Sequence, residues 1–374
     1  MSQHAPRSAA VFDDLIAALA EIRDGYVESA DRFARPIDVL EGYRYVGQLL
    51  SAASELFFEA DPEHPRFVSI VSPARKLQGD NPDAIYHYAR IRGDRSYRVT
   101  GSRGQACYVS FTVHGRAADG GLAGPLLGDV NDRAFTFGPD GRYEVVLGAD
   151  EREGNWIRLH PDAHCLIVRS YFQLETSAQN DPDVAVSIDI RCLDDVGPPA
   201  PTSDGALAER MAEGVAFLRQ ATLGQPMPGV AAHIPFVSDV PNDVATPYSF
   251  RDSGLPVPGA ADIVYSMGSF DLAPDEALVM TGTLPPGVFT NVMLWNRHMQ
   301  TLDYRNRTSS LNAAQIRLEP DGRYRIVISE RDPGVPNWLD TGGHPQGTIF
   351  WRFLLPEADP PKPECVVLPV FQVK

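Results

Sequence analysis

The chain repeats itself, and a repeating chain folds into copies of one plan. Pro139-Asp140-Gly141-Arg142-Tyr143 recurs as Pro320-Asp321-Gly322-Arg323-Tyr324. Asn155-Trp156 recurs as Asn337-Trp338, His160-Pro161 as His344-Pro345, and Arg169 as Arg352. The offset stays between 181 and 184 residues. Upstream, Asp83-Ala84-Ile85-Tyr86 resembles Asp262-Ile263-Val264-Tyr265, and Thr100-Gly101 matches Thr281-Gly282. The duplication covers about 38–172 and 205–355.

Within each copy, apolar spacing predicts a helix followed by short strands. Val39, Leu40, Tyr43, Val46, Leu49, Leu50, Ala53, Leu56 and Phe57 recur at helical spacing, as do Leu207, Met211, Val215 and Leu218. A further helix ahead of both copies gathers Val11, Phe12, Leu15, Ile16, Leu19 and Ile22 on one face. Strands are predicted over 97–99, 107–113, 143–147 and 166–172 in the first copy. In the second they fall over 277–281, 291–294, 324–329 and 348–354. Pro-Asp-Gly before an alternating run is a tight turn entering a strand. Short strands punctuated by turns read as sandwich units. The expected fold is mostly β (α+β): two duplicated jelly-roll-like β-sandwiches, each with a helical lead-in. The expected divisions are a helical segment 1–36, a first repeat 37–195, a Pro-rich linker 196–204 and a second repeat 205–374.

Composition removes several classes of function. The 374 residues carry 33 basic and 49 acidic side chains, a net charge of −16, which repels nucleic-acid phosphates and anionic membrane surfaces. No apolar run approaches the roughly 18 residues that cross a bilayer. The start, Met1-Ser2-Gln3-His4-Ala5-Pro6-Arg7, leads into no apolar signal region. Cys107, Cys165, Cys192 and Cys365 form no CxxC pair, so they read as reduced thiols of a cytoplasmic protein. The chain shows no GxSxG, P-loop or GxGxxG motif and no HxH or HExxH. No cofactor is expected, although a divalent metal is not excluded. The expected partners are a small-molecule ligand and further copies of the chain as a homo-oligomer.

The second copy carries a resemblance. Its elements are Val292–Trp295, Tyr304-Arg305-Asn306-Arg307, the Asp321-Gly322 turn, Arg325–Ser329, Asn337-Trp338-Leu339 and Phe350–Phe353 with Arg352. This order resembles the bacterial family called domain of unknown function 1214. Asp80-Asn81-Pro82-Asp83-Ala84-Ile85-Tyr86 also resembles the signature of its partner family, domain of unknown function 1254. The resemblance implies jelly-roll-like sandwiches, sometimes oligomeric, and no reaction.

Three groups are candidates for chemistry. Asn81, Tyr88 and Arg90 flank Asp83 and Tyr86, and Tyr86, Tyr88 and Arg90 share one strand face. They suit a polar organic ligand, or equally a face of cross-strand pairs. Trp295, Asn296, Arg297, His298, Tyr304, Arg305 and Arg307 form a basic, aromatic patch on an acidic chain. Such a patch recognises an anionic or sugar-like molecule, or neutralises neighbouring carboxylates. Glu330 and Asp332 could act as a general acid–base pair, or belong to an Asp-Pro-Gly turn. Arg169 and Arg352 interrupt apolar strands, where a buried guanidinium needs a carboxylate or an anionic ligand. The leading expectation is an enzyme without nucleotide cofactor, of hydrolase or lyase type, acting on a small polar or sugar-like molecule. Its catalytic groups would be Glu330, Asp332, His298, Tyr86 and Asp83. Its ligand contacts would be Asn81, Tyr88, Arg90, Trp295, Arg297, Tyr304, Arg305 and Arg352. The alternative is a non-catalytic ligand-binding or scaffold protein.

Overall fold

A computed structural model describes residues 5–227, 234–251 and 262–373. The first-copy strands are β1 (Val68–Ser69), β2 (Ala84–Arg90), β3 (Tyr97–Ser102), β4 (Tyr108–Gly115) and β5 (Leu126–Asn131). They continue with β6 (Arg142–Gly148), β7 (Trp156–Arg158), β8 (Ala163–Tyr171) and β9 (Ile188–Cys192). The second-copy strands are β10 (Asp243–Val244), β11 (Tyr248–Ser249), β12 (Ile263–Asp271), β13 (Glu276–Gly282) and β14 (Phe289–Trp295). They continue with β15 (Ser310–Asn312), β16 (Tyr324–Ser329), β17 (Trp338–Asp340), β18 (Gln346–Leu354) and β19 (Glu364–Pro369).

Strand order shows the duplication directly. The first copy builds sheets β1-β2-β8-β4-β5 and β7-β6-β3-β9. The second builds β10-β12-β18-β14-β15 and β17-β16-β13-β19, with β11 added beside β12. One order maps onto the other strand for strand. Even the parallel pairings correspond: β6 with β7, and β16 with β17. The fold is a mostly-β, duplicated sandwich with few helices.

The Asn-Trp repeats explain those parallel pairings. Asn155 Nδ2 donates to Thr136 O and Glu144 O, and its Oδ1 accepts from Thr136 N. Asn337 does the same with Arg317 O, Arg325 O and Arg317 N. One amide thus satisfies three backbone groups at a corner, where a turn would leave them open. Asn337 takes φ 57°, a left-handed conformation that Asn tolerates.

The chain forms two compact units. The first takes its described residues from Met1–Leu77, Ile85–Ser170 and Ala185–Gln225. The second takes them from Gln78–Ala84, Tyr171–Val184 and Pro226–Lys374. The helices α1 (Arg7–Ile22), α2 (Pro36–Ala53) and α3 (Asp204–Gln220) all fall in the first unit. This includes α3, which the sequence places at the head of the second copy. Arg219 joins α3 to α1 through Asp14 and Glu21 at 2.7 and 2.9 Å. Asp204 accepts from the Arg7 and Ser8 amides, completing the α1 N-terminus that Pro6 cannot cap.

In the second unit the core lies between the two sheets. Leu278, Met280, Ile326 and Ile328 meet Val292, Leu294, Ile349, Trp351 and Phe353. Trp351 lies 5.4 Å from Tyr324 across the gap. Alternation therefore sends Asn291, Met293, Trp295, Phe350 and Arg352 to the opposite face of their sheet. Among the described residues no helix is long and apolar enough to cross a membrane.

Candidate functional site

That opposite face is covered by a short arm, Gln78–Ala84, within the second unit. Arm and sheet are held by side chains that a sandwich exterior would ordinarily give to water. Asp83 is fully buried. Its Oδ2 accepts from Asn291 Nδ2 at 3.0 Å and its Oδ1 from Asn312 Nδ2 at 2.9 Å. Asn291 and Asn312 stand opposite each other on β14 and β15, so the register itself sets the two donors side by side. Asn291 Nδ2 also donates to Asn81 Oδ1 at 2.8 Å. Burial pushes the Asp83 carboxyl above the usual carboxylate range, against the pull of Asn291, Asn312, Ser177 and the Arg352 charge.

Next along the arm, Asp80 closes a second set of bonds. Its carbonyl accepts from Trp295 Nε1 and Thr301 Oγ1, both at 3.2 Å. Its carboxylate accepts from Thr301 N at 2.6 Å. Tyr304 is buried nearby, and desolvation together with the Asp80 charge raises its phenol well above the ordinary value. Gly79, at φ 79°, turns its carbonyl toward Arg352 Nη2 at 2.6 Å while its N–H reaches Met299 O.

Arg352 is the cation of this layer and is 5% exposed. Its guanidinium lies 4.6 Å from the Phe350 ring centre and 5.4 Å from that of Trp295, and those rings stack at 4.2 Å. Nη1 meets the Met293 sulfur at 3.1 Å. Among the described residues no carboxylate comes within 4.0 Å of it, so the charge is met in contact by ring faces and one carbonyl, and at longer range by the Asp83 carboxyl. Beside it, Asn81 Nδ2 and Asn291 Oδ1 are buried with no hydrogen-bond partner.

The sequence-derived candidates therefore divide. Asn81, Asp83, Trp295, Tyr304 and Arg352 come together. His298 is buried in the tight turn that Asn296 holds, with Asn296 Oδ1 accepting from the His298 and Gln300 amides at 3.0 Å. Arg297 is half-buried and donates to Gln346 Oε1, and Arg305 is exposed. Glu330 and Asp332 are both exposed after β16. Asp332 Oδ1 accepts from Gly334 N at 2.7 Å, which is the turn alternative, and neither carboxylate belongs to the Asp83 network.

Tyr86, Tyr88 and Arg90 lie in the first unit. Arg90 is paired with Glu213 of α3 and bonded to His164, and Glu213 also meets Arg116 at 2.7 Å. Burial and the Arg90 charge hold the His164 imidazole down near 4. Tyr88 is fully buried, its phenol raised by desolvation and facing the Cys165 thiol. Half-buried Tyr86 packs against the first unit's core. Among the described residues no group of three or more His, Cys, Asp or Glu is placed to hold a metal ion.

Asn291, Asn312, Thr301 and Asp80 were not singled out from sequence. Their signal was weak: two asparagines next to apolar strand runs, where asparagine is normally disfavoured.

Residues 272–358 match the family described as Protein of unknown function (DUF1214). Over nearly its full length the chain is similar to an uncharacterised protein from Burkholderia cenocepacia with a crystal structure. They share 32% identity over 97% of this chain and 98% of that one, with a TM-score of 0.84. The chain belongs to that protein's family. A protein from Vibrio parahaemolyticus is similar at 13% identity, over 87% of this chain and 98% of that one, with a TM-score of 0.49. No curated protein matches the chain. The DUF1214 segment supplies Asn291, Trp295, Asn312 and Arg352, whereas the arm with Asp80, Asn81 and Asp83 lies outside it. These matches do not show the resemblance of 80–86 to the DUF1254 family.

Proposed function

We propose that the second unit binds a small polar molecule bearing an anionic group, with Arg352 as its anchor. The carrying observation is a buried guanidinium with no carboxylate in direct contact, beside two unpartnered amide atoms. Removing a cation from water costs several kcal/mol, which ring faces and one carbonyl offset only in part. An anionic ligand completes that balance. Asn81 Nδ2 offers it a donor and Asn291 Oδ1 an acceptor, so a hydroxyl next to the anion suits both.

A second reading makes the same site catalytic. The Asp83 carboxyl favours it, because burial raises it above the usual carboxylate range, the direction in which a general acid is tuned. Hydrolase or lyase chemistry then runs through Asp83 rather than through exposed Glu330 and Asp332. The reading extends to a cytoplasmic homo-oligomer. The four cysteines are unpaired, which suits a reducing compartment.

A thermal-shift screen of organic acids and sugars tests the binding reading, because a ligand that binds the folded chain raises Tm by mass action. A shift that Arg352→Lys and Asn81→Ala both weaken supports it. A shift unchanged in both variants, or no shift from any probe, overturns it. Turnover of a bound probe that falls by about 100-fold or more in Asp83→Asn supports catalysis. Turnover that survives the variant removes Asp83 from the chemistry.

A further inference from the structure

The first unit has its own arginine at the repeat position, Arg169, and its surroundings differ. β4 is buried at every residue. Phe111 meets Tyr143 of β6 at 5.7 Å, edge to face, so Val109, Phe111 and Val113 point into the sandwich core. Alternation sends Ser110, Thr112 and His114 to the other face. Arg169 on β8 donates to Thr112 Oγ1 and so shares that face. Among the described residues no carboxylate comes within 4.0 Å of its guanidinium, which is half-buried rather than sealed.

Two more groups on this face lack partners. Ser110 is fully buried, and its Oγ makes no hydrogen bond. His114 is 8% exposed, with Nδ1 3.1 Å from Gly124 O. A carbonyl only accepts, so Nδ1 carries the proton and Nε2 presents a lone pair. That Nε2 is buried without a partner. Burial and the Arg169 charge hold the imidazole near 4, so it is neutral at pH 7. Asp129, opposite Thr112 on β5, is the acidic residue bordering this row.

An unmade buried hydrogen bond costs about 1–3 kcal/mol, and folded proteins keep few of them. The row asks for an anion over Arg169, a hydrogen-bonding oxygen at Ser110 and a donor for His114 Nε2. Ser110 and His114 are four residues apart, a span of roughly 13 Å along a strand. Arg169, bonded to Thr112 between them, places the anion mid-row with a hydrogen-bonding group toward either end. We propose that this face of the first unit binds a sugar acid: a carboxylate on Arg169, with hydroxyls reaching Ser110 Oγ and His114 Nε2.

Calorimetric titration of the full chain with D-gluconate tests this. Gluconate is expected to bind at least tenfold more tightly than acetate or glucose, since each lacks one half of the recognition. Ser110→Ala, which removes a single oxygen, is expected to weaken gluconate about tenfold, and Arg169→Lys by more. Glu330→Gln, an exposed position outside both sites, should leave this affinity unchanged, and loss in Ser110→Ala assigns the binding to the first unit. If Arg169→Lys does not fold, Ser110→Ala and His114→Gln carry the test. No gluconate binding at about 10 mM overturns the proposal. So does equal affinity for acetate, or loss of binding in Arg352→Lys with Ser110→Ala unaffected.

Discussion

Asp83 shows what one buried carboxyl does to the pH dependence of a fold. Its native pKa lies above the ordinary value of about 3.9. Between those two values the folded state holds a proton that the unfolded state has released. Stability therefore falls as pH rises across that window and is level above it. Asp83→Asn removes the ionisation and, with it, this slope. The variant also turns a donor amide toward Asn291 or Asn312, a cost of about 1–3 kcal/mol that does not change with pH. Urea denaturation of both proteins between about pH 4 and 7 measures the difference. A wild-type-minus-variant gap that is constant across this range defeats the account. Asp83, Asn81, Trp295 and Arg352 were legible in the sequence as polar or bulky residues in telling places. Their grouping was not, because Asn291 and Asn312 lie 208 and 229 residues from Asp83. Spacing rules reach across one element, and only the sheet register brings such residues together.

At the scale of elements, the repeat carried most of the fold. Helical periodicity located α1, α2 and α3, and alternation located β3, β4, β6, β8, β13, β14, β16 and β18. Some of the strands it missed, such as β7, β9 and β17, lie at sheet edges, where apolar alternation is weak, but it also missed β12, nine residues long and paired on both sides. The Asn-Trp repeat was legible because a corner needs a side chain that both donates to carbonyls and accepts from an amide. Asn337→Ala is expected to cost about 1–3 kcal/mol, since Arg317 and Arg325 carbonyls lose their donor and the φ of 57° loses a tolerant residue. Asn337→Asp should cost more, because it turns an oxygen toward two carbonyls. Chemical denaturation of the two variants gives the ranking, and equal stability of alanine and aspartate would refute it. The Glu330 and Asp332 pair was misleading for a related reason. An acidic doublet at a strand end and an Asx turn use the same letters, and only the Asp332–Gly334 bond tells them apart.

At the scale of the whole molecule, the two units do not coincide with the two halves of the chain. The second unit takes Gln78–Ala84 and Tyr171–Val184 from within the first repeat. A fragment that begins at the Pro-rich linker, near residue 196, would therefore lack the arm. Its Asn291 and Asn312 amides would lose the carboxylate they hold. We expect the fragment 196–374 to be less cooperative and less stable than the same sequence inside the full chain, as read by circular dichroism melting. A fragment as stable as the intact protein would show that the arm is dispensable.

The interleaving also sets a clock. During synthesis the arm with Asp83 leaves the ribosome long before its partners exist. Asn291 follows 208 residues later and Asn312 follows 229 residues later. At about 5–20 residues per second, that is a wait of roughly 10–45 s. For that interval the Asp83 carboxyl is without the two amides that hold it, and the arm has no second-unit sheet to cover.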